Sequence, residues 1–190
     1  RGNAKAYDKY NVFDESARRL TKAYGRTEEE VETLVQLSEQ LYMECCHLQF
    51  FDYSKKDLEL LKKAANVYSI GEYIEIDSSS QHTFYLIANQ SIEGLSHMDR
   101  VKVALLASYK NKDYFRRFLI PFKDWISRED QRELKDLGAI LKFIYALNIS
   151  KRNIVKSIVI DKNDRNIRII VITRRSAVAE IYYAERQKKH

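Results

Sequence analysis

Apolar residues recur at helical spacing through most of the chain, and this period predicts a region built from helices. A long apolar face runs from Val31 to Cys45. The clearest stripe lies further along and consists of Leu58, Leu61, Ala64, Ala65 and Tyr68. Taken together, these faces predict a mostly helical region over residues 12–149.

Polar residues mark the starts of five predicted helices, because each precedes a Glu, Asp or Gln by three positions, as in a capping box. The pairs are Thr27 with Glu30, Ser54 with Asp57, Ser78 with Gln81, Ser96 with Asp99 and Ser127 with Asp130. A shorter helix over 12–24 precedes them, with Gly25 as its stop. Gly71 is expected to end the helix that contains Tyr68 in the left-handed conformation that glycine adopts at low cost. Pro121 should interrupt any helix near it.

The pattern changes after Lys151 to short runs of β-branched residues. Residues 155–160 (VKSIVI) and 166–172 (NIRIIVI) predict two strands, and the polar segment DKNDR between them predicts a turn, so we expect a β-hairpin. Residues 176–190 suit either a third strand that runs into a helix or a helix throughout. The predicted fold class is mainly α, a helical bundle followed by a small α+β domain with a β-hairpin.

Composition indicates an ordinary globular protein. Of the 190 residues, 45% are hydrophobic and 32% are charged, and five Gly with one Pro leave little room for linkers. Cys45 and Cys46 are adjacent on a predicted helix, so their side chains diverge, no mutual disulfide is expected, and no zinc spacing exists. No segment has the pattern of a signal peptide or a membrane span. We expect a cytoplasmic protein and, because the chain begins with Arg1, a fragment of a longer one.

Two segments flank an acidic loop in the middle of the chain, AANVYSIG over 64–71 and QHTFYLIAN over 81–89. This layout resembles the core of an HD-type phosphohydrolase domain. It is most similar to the variant in the exopolyphosphatase / guanosine pentaphosphate phosphatase (Ppx/GppA) family, where the motif is roughly A-x-L-H-[DE]-I-G, a loop, and [KQ]-H-x-x-Y-L-I-x-N. VALLASYKNK over 103–112, LGAILKFIYALNIS over 137–150 and EIYYAERQKK over 180–189 resemble later segments of the same family.

The resemblance implies two domains, an HD-like helical domain over 1–126 and a long helix with a small α+β domain over 127–190. The family's catalytic machinery belongs to N-terminal actin-like domains with Gly-rich phosphate loops. This chain contains no G-x-G-x-x-G or G-x-x-x-x-G-K-[ST] loop. We therefore interpret it as the C-terminal half of such an enzyme, inactive alone and without a cofactor, whereas the parent hydrolase would use Mg²⁺.

An HD phosphohydrolase holds a divalent metal with His imidazoles and an Asp, and the metal activates a water against a phosphate. The resemblance places other residue types at most of these ligand positions, and only one imidazole remains. The positions correspond to Glu30, Tyr68, Ser69, His82, Lys110 and Asn148. We interpret the HD-like centre as degenerate, and His82 as a packed, hydrogen-bonded residue.

Positive charge is concentrated in two segments. Residues 110–128 carry six Lys and Arg against two Asp, and residues 151–175 carry eight against two. Charge runs are usually solvated faces, but the family's C-terminal half extends the path of polyphosphate and contributes to dimerisation. The resemblance therefore implies a polyphosphate-binding role for Lys110, Lys112, Arg116, Arg117, Lys151 and Arg152.

The main hypothesis is a polyphosphate-binding and dimerisation module of an exopolyphosphatase-type enzyme. The parent would act on inorganic polyphosphate or guanosine pentaphosphate, as a homodimer, with neither a membrane nor nucleic acid as an expected partner. One alternative is a metal-dependent HD-type phosphohydrolase with a rearranged site of His82, Glu30, Glu72, Glu75 and Asp77. Another is a nucleotide or RNA sensor that uses the basic hairpin.

Overall fold

The computed structural model of the chain describes residues 9–90 and 92–174. In this part of the chain, seven α-helices precede one antiparallel β-hairpin, which confirms the predicted mainly α class. The elements are α1 (Lys9–Ala23), α2 (Glu28–His47), α3 (Lys55–Asn66), α4 (Ser79–Asn89), α5 (His97–Ala107), α6 (Lys112–Leu119), α7 (Arg128–Leu147), β1 (Val155–Lys162) and β2 (Ile167–Thr173), with 3₁₀ turns at Ile70–Tyr73 and Ile120–Phe122. The predicted alternatives for residues 176–190 lie outside the described residues.

Side-chain caps begin the helices largely as the sequence predicts. The hydroxyls of Thr27, Ser54, Ser96 and Ser127 each accept a hydrogen bond from the backbone N–H three residues on, at 3.0–3.2 Å. Ser78 precedes α4, but its side chain makes no such bond. Pro121 lies in a 3₁₀ turn directly after α6, where a helix interruption is expected.

The second helix is the centre of the fold. It packs against α3, α7 and β1, while α5 packs against α3, α4 and α7. The side chains at these contacts form one apolar core, in which Leu37, Leu61, Leu106 and Ile144 are almost completely buried. Among the described residues, no helix combines the length and the apolarity that a crossing of a bilayer requires.

The hairpin packs its first strand on α2. Its register pairs Ile158 with Val171 and Ile160 with Ile169. The N–H of Ile158 donates to Gln40 Oε1 at 3.1 Å, and the N–H of Ile160 donates to Glu44 Oε2 at 3.0 Å. Side chains of α2 therefore satisfy the outer edge of β1, which would otherwise present unpaired amides.

The expected conformation of Gly71 is wrong. The helix α3 ends at Asn66, and the left-handed residue is Ser69, with φ of 54°. Gly71 lies in the 3₁₀ turn, where its N–H donates to Thr83 Oγ1 at 2.9 Å. A Cβ at Gly71 would lie 2.4 Å from the backbone nitrogen of Thr83, so glycine is needed here for the close approach of α4.

Candidate functional site

A cleft of about 720 Å³ opens where the end of α3, the starts of α4 and α6, and the last turns of α7 meet. Its lining is mixed. Cations come from Lys110, Lys112, Arg116 and Lys142, hydroxyls from Ser69, Ser79 and Ser80, carboxylates from Glu72, Asp77 and Asp113, and apolar or aromatic surface from Tyr68, Tyr145, Ile76 and Ile149. The lining contains three of the predicted polyphosphate-binding residues, Lys110, Lys112 and Arg116. It also contains Tyr68 and Ser69, which together with Lys110 are positions of the degenerate HD centre.

The turn after α5 forms the floor of the cleft. The helix α5 stops at Ala107, and the Ser108 hydroxyl donates to the carbonyl of Ala104 at 2.7 Å. Three neighbours hold the turn: the N–H of Ser69 donates to the Ala107 carbonyl at 2.9 Å, the Ser80 hydroxyl to the Ser108 carbonyl, and the Tyr68 hydroxyl to the Tyr109 carbonyl at 2.6 Å. Fixed in this way, the turn projects Lys110 at the cleft.

Asn111 then starts α6 and places the next cations. Its side-chain oxygen accepts hydrogen bonds from the N–H groups of Asp113 and Tyr114, each at 3.0 Å. This cap was not among those predicted, although Asn is a strong N-cap residue. The helix that follows brings Lys112 and Arg116 to the same cleft wall.

The lysines of the cleft lack neutralising partners. Within the described residues, no carboxylate lies in ion-pair distance of Lys112 or Lys142, and Lys110 lies over the ring of Tyr114 at 5.3 Å. Burial lowers the pKa of Lys142, and the positive charge of Lys110 lowers it further. Arg116 pairs with Asp113 at 3.5 Å, but both side chains are exposed, so the pair adds little.

The remaining predicted binding residues lie elsewhere. Arg117 packs over the ring of Tyr114 at 5.3 Å and does not line the cleft. Lys151 bonds Glu72 at 3.0 Å and therefore reaches the edge of the cleft through that carboxylate. The Nε of Arg152 donates to the Ser150 hydroxyl at 3.3 Å, away from the lining.

Behind the cleft, an arginine occupies the region of the degenerate HD centre. Arg26 is only 7% exposed. Its Nε lies 3.6 Å from Glu30, its Nη2 lies 3.5 Å from Glu72, and its guanidinium lies 5.5 Å from the ring centre of Tyr145. Its Nη1 is buried without a hydrogen-bond partner. Glu30 thus neutralises a buried guanidinium, while its backbone N–H completes the Thr27 cap.

The other degenerate positions also have structural partners. The side chain of Asn148 donates to Asn153 Oδ1 at 2.8 Å and accepts from the Asn153 N–H at 3.0 Å, which fixes the turn after α7. His82 lies 3.7 Å from Glu75 in a partly exposed contact.

A divalent metal does not fit these residues. Nowhere in 12–90 or 92–174 do three His, Cys, Asp or Glu side chains come close enough to hold an ion. The rearranged site suggested by the sequence is divided, because Arg26 binds Glu30 and Glu72 whereas His82 contacts Glu75. The described residues therefore provide no route to metal-activated water.

Lys142 is the residue of the cleft that sequence reasoning missed. A signal exists, because Lys142 interrupts the apolar run of α7 and shares its helical spacing with Tyr145, Ala146 and Ile149. All four line the cleft. A cation placed on a face that is otherwise apolar or aromatic is the observation that would have identified it.

Comparison with known proteins agrees with the fold. Residues 12–176 match the family model described as Ppx/GppA phosphatase, domain III. No curated protein shows significant similarity to the chain.

Proposed function

The chain belongs to the Ppx/GppA phosphatase family, as its domain III, and from that premise we propose that the cleft binds phosphate groups of a polyphosphate chain. In this proposal the domain holds the polymer, and the phosphoanhydride bonds are cleaved in the actin-like domains of the parent enzyme, which also use the Mg²⁺. The domain alone has no turnover.

One observation supports this proposal above the others: unpaired cations converge on one cleft. Lys110 comes from the turn before α6, Lys112 is the first residue of α6, and Lys142 comes from α7. Like charges repel, and among the described residues none of the cleft carboxylates Glu72, Asp77 and Asp113 forms an ion pair with these lysines, so a bound anion would relieve the repulsion. Lysine supplies point charge to phosphate oxygens, and Arg116 can add bidentate contacts when it releases Asp113.

Polyphosphate binding measured across a salt series tests the proposal. The logarithm of the affinity should fall linearly with the logarithm of salt concentration. Each lost phosphate contact should reduce the slope by about 0.7 if polyphosphate behaves as a single-stranded nucleic acid does. Lys110→Met and Lys142→Met should each weaken binding and flatten the slope. Lys123→Met is the matched control, since Lys123 is exposed in the same basic segment but outside the cleft lining.

The results of this series distinguish binding in the cleft from binding by general surface charge. Equal losses for Lys123→Met and Lys142→Met would mean that general surface charge, not the cleft, holds the polymer. No binding at low salt would refute the proposal. The same series with Arg117→Met and Arg152→Met tests the two predicted residues that lie outside the lining.

A nucleoside polyphosphate is the second candidate ligand. Part of the cleft wall is apolar or aromatic, because the lining includes Ile76, which is 76% exposed, together with Ile149 and Tyr145. Inorganic polyphosphate has no apolar group that could pack on such a wall, whereas the base of a nucleotide could pack there. If guanosine pentaphosphate displaces polyphosphate more effectively than inorganic tripolyphosphate does, and Ile76→Ser removes the advantage, the nucleotide is the better ligand.

We further propose that the domain forms a homodimer through the outer face of the hairpin. Val159, Ile170 and Ile172 share the face opposite the core and are each more than 40% exposed. Exposed apolar residues on one surface mark association sites. Sedimentation of the wild type and of Ile170→Glu tests this: a monomer in both, or a dimer in both, would contradict it.

A further inference from the structure

Lys142 differs in its surroundings from Lys102, Lys62 and Lys63, which are also partly or fully buried. Lys102 pairs with Asp130 at 3.2 Å, Lys62 pairs with Glu39 at 3.3 Å, and Lys63 lies over the ring of Phe13. Lys142 is half-buried in the cleft wall and, within 12–90 and 92–174, has neither an ion pair nor a hydrogen bond. It therefore carries its ammonium where solvent is restricted and where another cation, Lys110, shares the lining.

We propose that Lys142 is a modification site, a nucleophilic lysine that becomes acylated by acyl phosphates bound in the cleft. The inference rests on the proposed function, since the phosphate group of the reagent must first be held by the cations of the cleft. Lysine is activated as a nucleophile by desolvation or by a neighbouring cation, and the cleft supplies both. Burial and Lys110 favour the neutral amine of Lys142, which agrees with its lowered pKa.

The reaction is an acyl transfer. Lys110 and Lys112 hold the phosphate group, which brings the acyl carbon to the same cleft as Lys142. The unprotonated Nζ attacks that carbon and forms the amide bond. The bond between the acyl carbon and the phosphate oxygen breaks, its electron pair leaves with inorganic phosphate, and the proton of the nitrogen passes to water. No oxidant or further reactant is needed, and holding the two groups together supplies the acceleration.

The product would change the site that formed it. An amide at Lys142 is neutral, so acylation removes one of the converging charges. Polyphosphate affinity should then fall as it does for Lys142→Gln, with a flatter salt dependence. A higher concentration of acyl phosphates would therefore lower the affinity of the cleft for polyphosphate.

The test compares two lysines of the same helix. Lys135 also lies on α7 and is also half-buried, but it is outside the cleft lining. The protein is incubated with acetyl phosphate, and acetylation of each lysine is followed over time by peptide mass spectrometry. We expect Lys142 to react at least several-fold faster than Lys135. Inorganic pyrophosphate should slow Lys142 and leave Lys135 unchanged, and Lys110→Met should slow Lys142 too.

A reagent without a phosphate group distinguishes binding of the reagent in the cleft from the intrinsic reactivity of the Lys142 amine. With an N-hydroxysuccinimide ester of acetate, the preference for Lys142 should shrink and pyrophosphate should no longer protect it. Equal acetylation of both lysines by acetyl phosphate, or no protection by pyrophosphate, would overturn the inference. Polyphosphate titration of the same sample identifies the cause: binding without selective acetylation refutes only the nucleophilic lysine, whereas absent binding refutes the proposed function as well.

Discussion

Replacing Arg26 with Met should destabilise the domain more than removing any exposed cation. The substitution leaves Glu30, which is 4% exposed, as a buried carboxylate whose only ion-pair partner in the part of the chain that the structure describes was Arg26. Glu72 is protected because Lys151 still lies 3.0 Å away. Breaking a buried ion pair from one side costs about 3–5 kcal/mol.

Thermal denaturation measures this loss. For a chain of this size, about 2–4 °C of melting temperature corresponds to each kcal/mol, so Arg26→Met should lower the melting temperature by roughly 6–20 °C. The exposed Arg19, which pairs with Glu15 at 3.3 Å, provides the control, and Arg19→Met should cost at most about 1 kcal/mol.

The double variant Arg26→Met with Glu30→Met decides the cause. If the loss comes from an uncompensated charge, removing that charge should restore most of the stability, because an apolar pair of similar volume replaces an ion pair at little cost. A double variant no more stable than Arg26→Met would show that lost packing on Tyr145 dominates. A single variant within about 1 kcal/mol of the wild type would refute the reasoning altogether.

Three further predictions concern stability and reactivity. Burial and the charges of Asp57 and Asp130 raise the pKa of Glu133, so the ionised form of Glu133 opposes folding. Glu133→Gln should therefore raise the melting temperature at neutral pH, and this gain should disappear below about pH 4. An equal gain at both pH values would contradict this prediction. Gly71→Ala should destabilise by at least about 1–3 kcal/mol in chemical denaturation, because the new Cβ meets backbone atoms of Thr83 and Ser79, whereas Ser69→Gly should not destabilise. Burial raises the pKa of Cys45 to about 11, so iodoacetamide should alkylate it at least about tenfold more slowly in the native than in the unfolded protein.

The helix starts were predictable because they depend on contacts between residues only three positions apart in the sequence. A hydroxyl at the N-cap and the N–H three positions on lie close together at a helix start, so the pattern predicted the four capping bonds that form, although Ser78 has the same pattern and makes none. The same holds for the hairpin turn, where Asn163 Oδ1 accepts from the N–H of Asn166 at 2.8 Å. The family resemblance, in turn, is confirmed by the match over residues 12–176.

The cleft was harder to predict because its parts meet only in three dimensions. Sequence alone explains Glu30 as a cap residue, and nothing local shows that Arg26 is buried beside it. The role of Gly71 depends on α4, which packs so closely that a Cβ at this position would overlap its backbone. The basic segments indicated the right residue types at Lys110 and Lys112, but Lys142, from a different helix, completes the group only after folding.

The contacts of α2 also determine when the chain can finish folding. Gln40 and Glu44 bond amides of β1 that lie 118 and 116 positions further along the chain. A ribosome adds about 5–20 residues per second, so β1 is synthesised about 6–24 s after α2. During translation α3 covers only part of the apolar surface of α2, and the remainder stays uncovered by its native partners until α7 and β1 emerge.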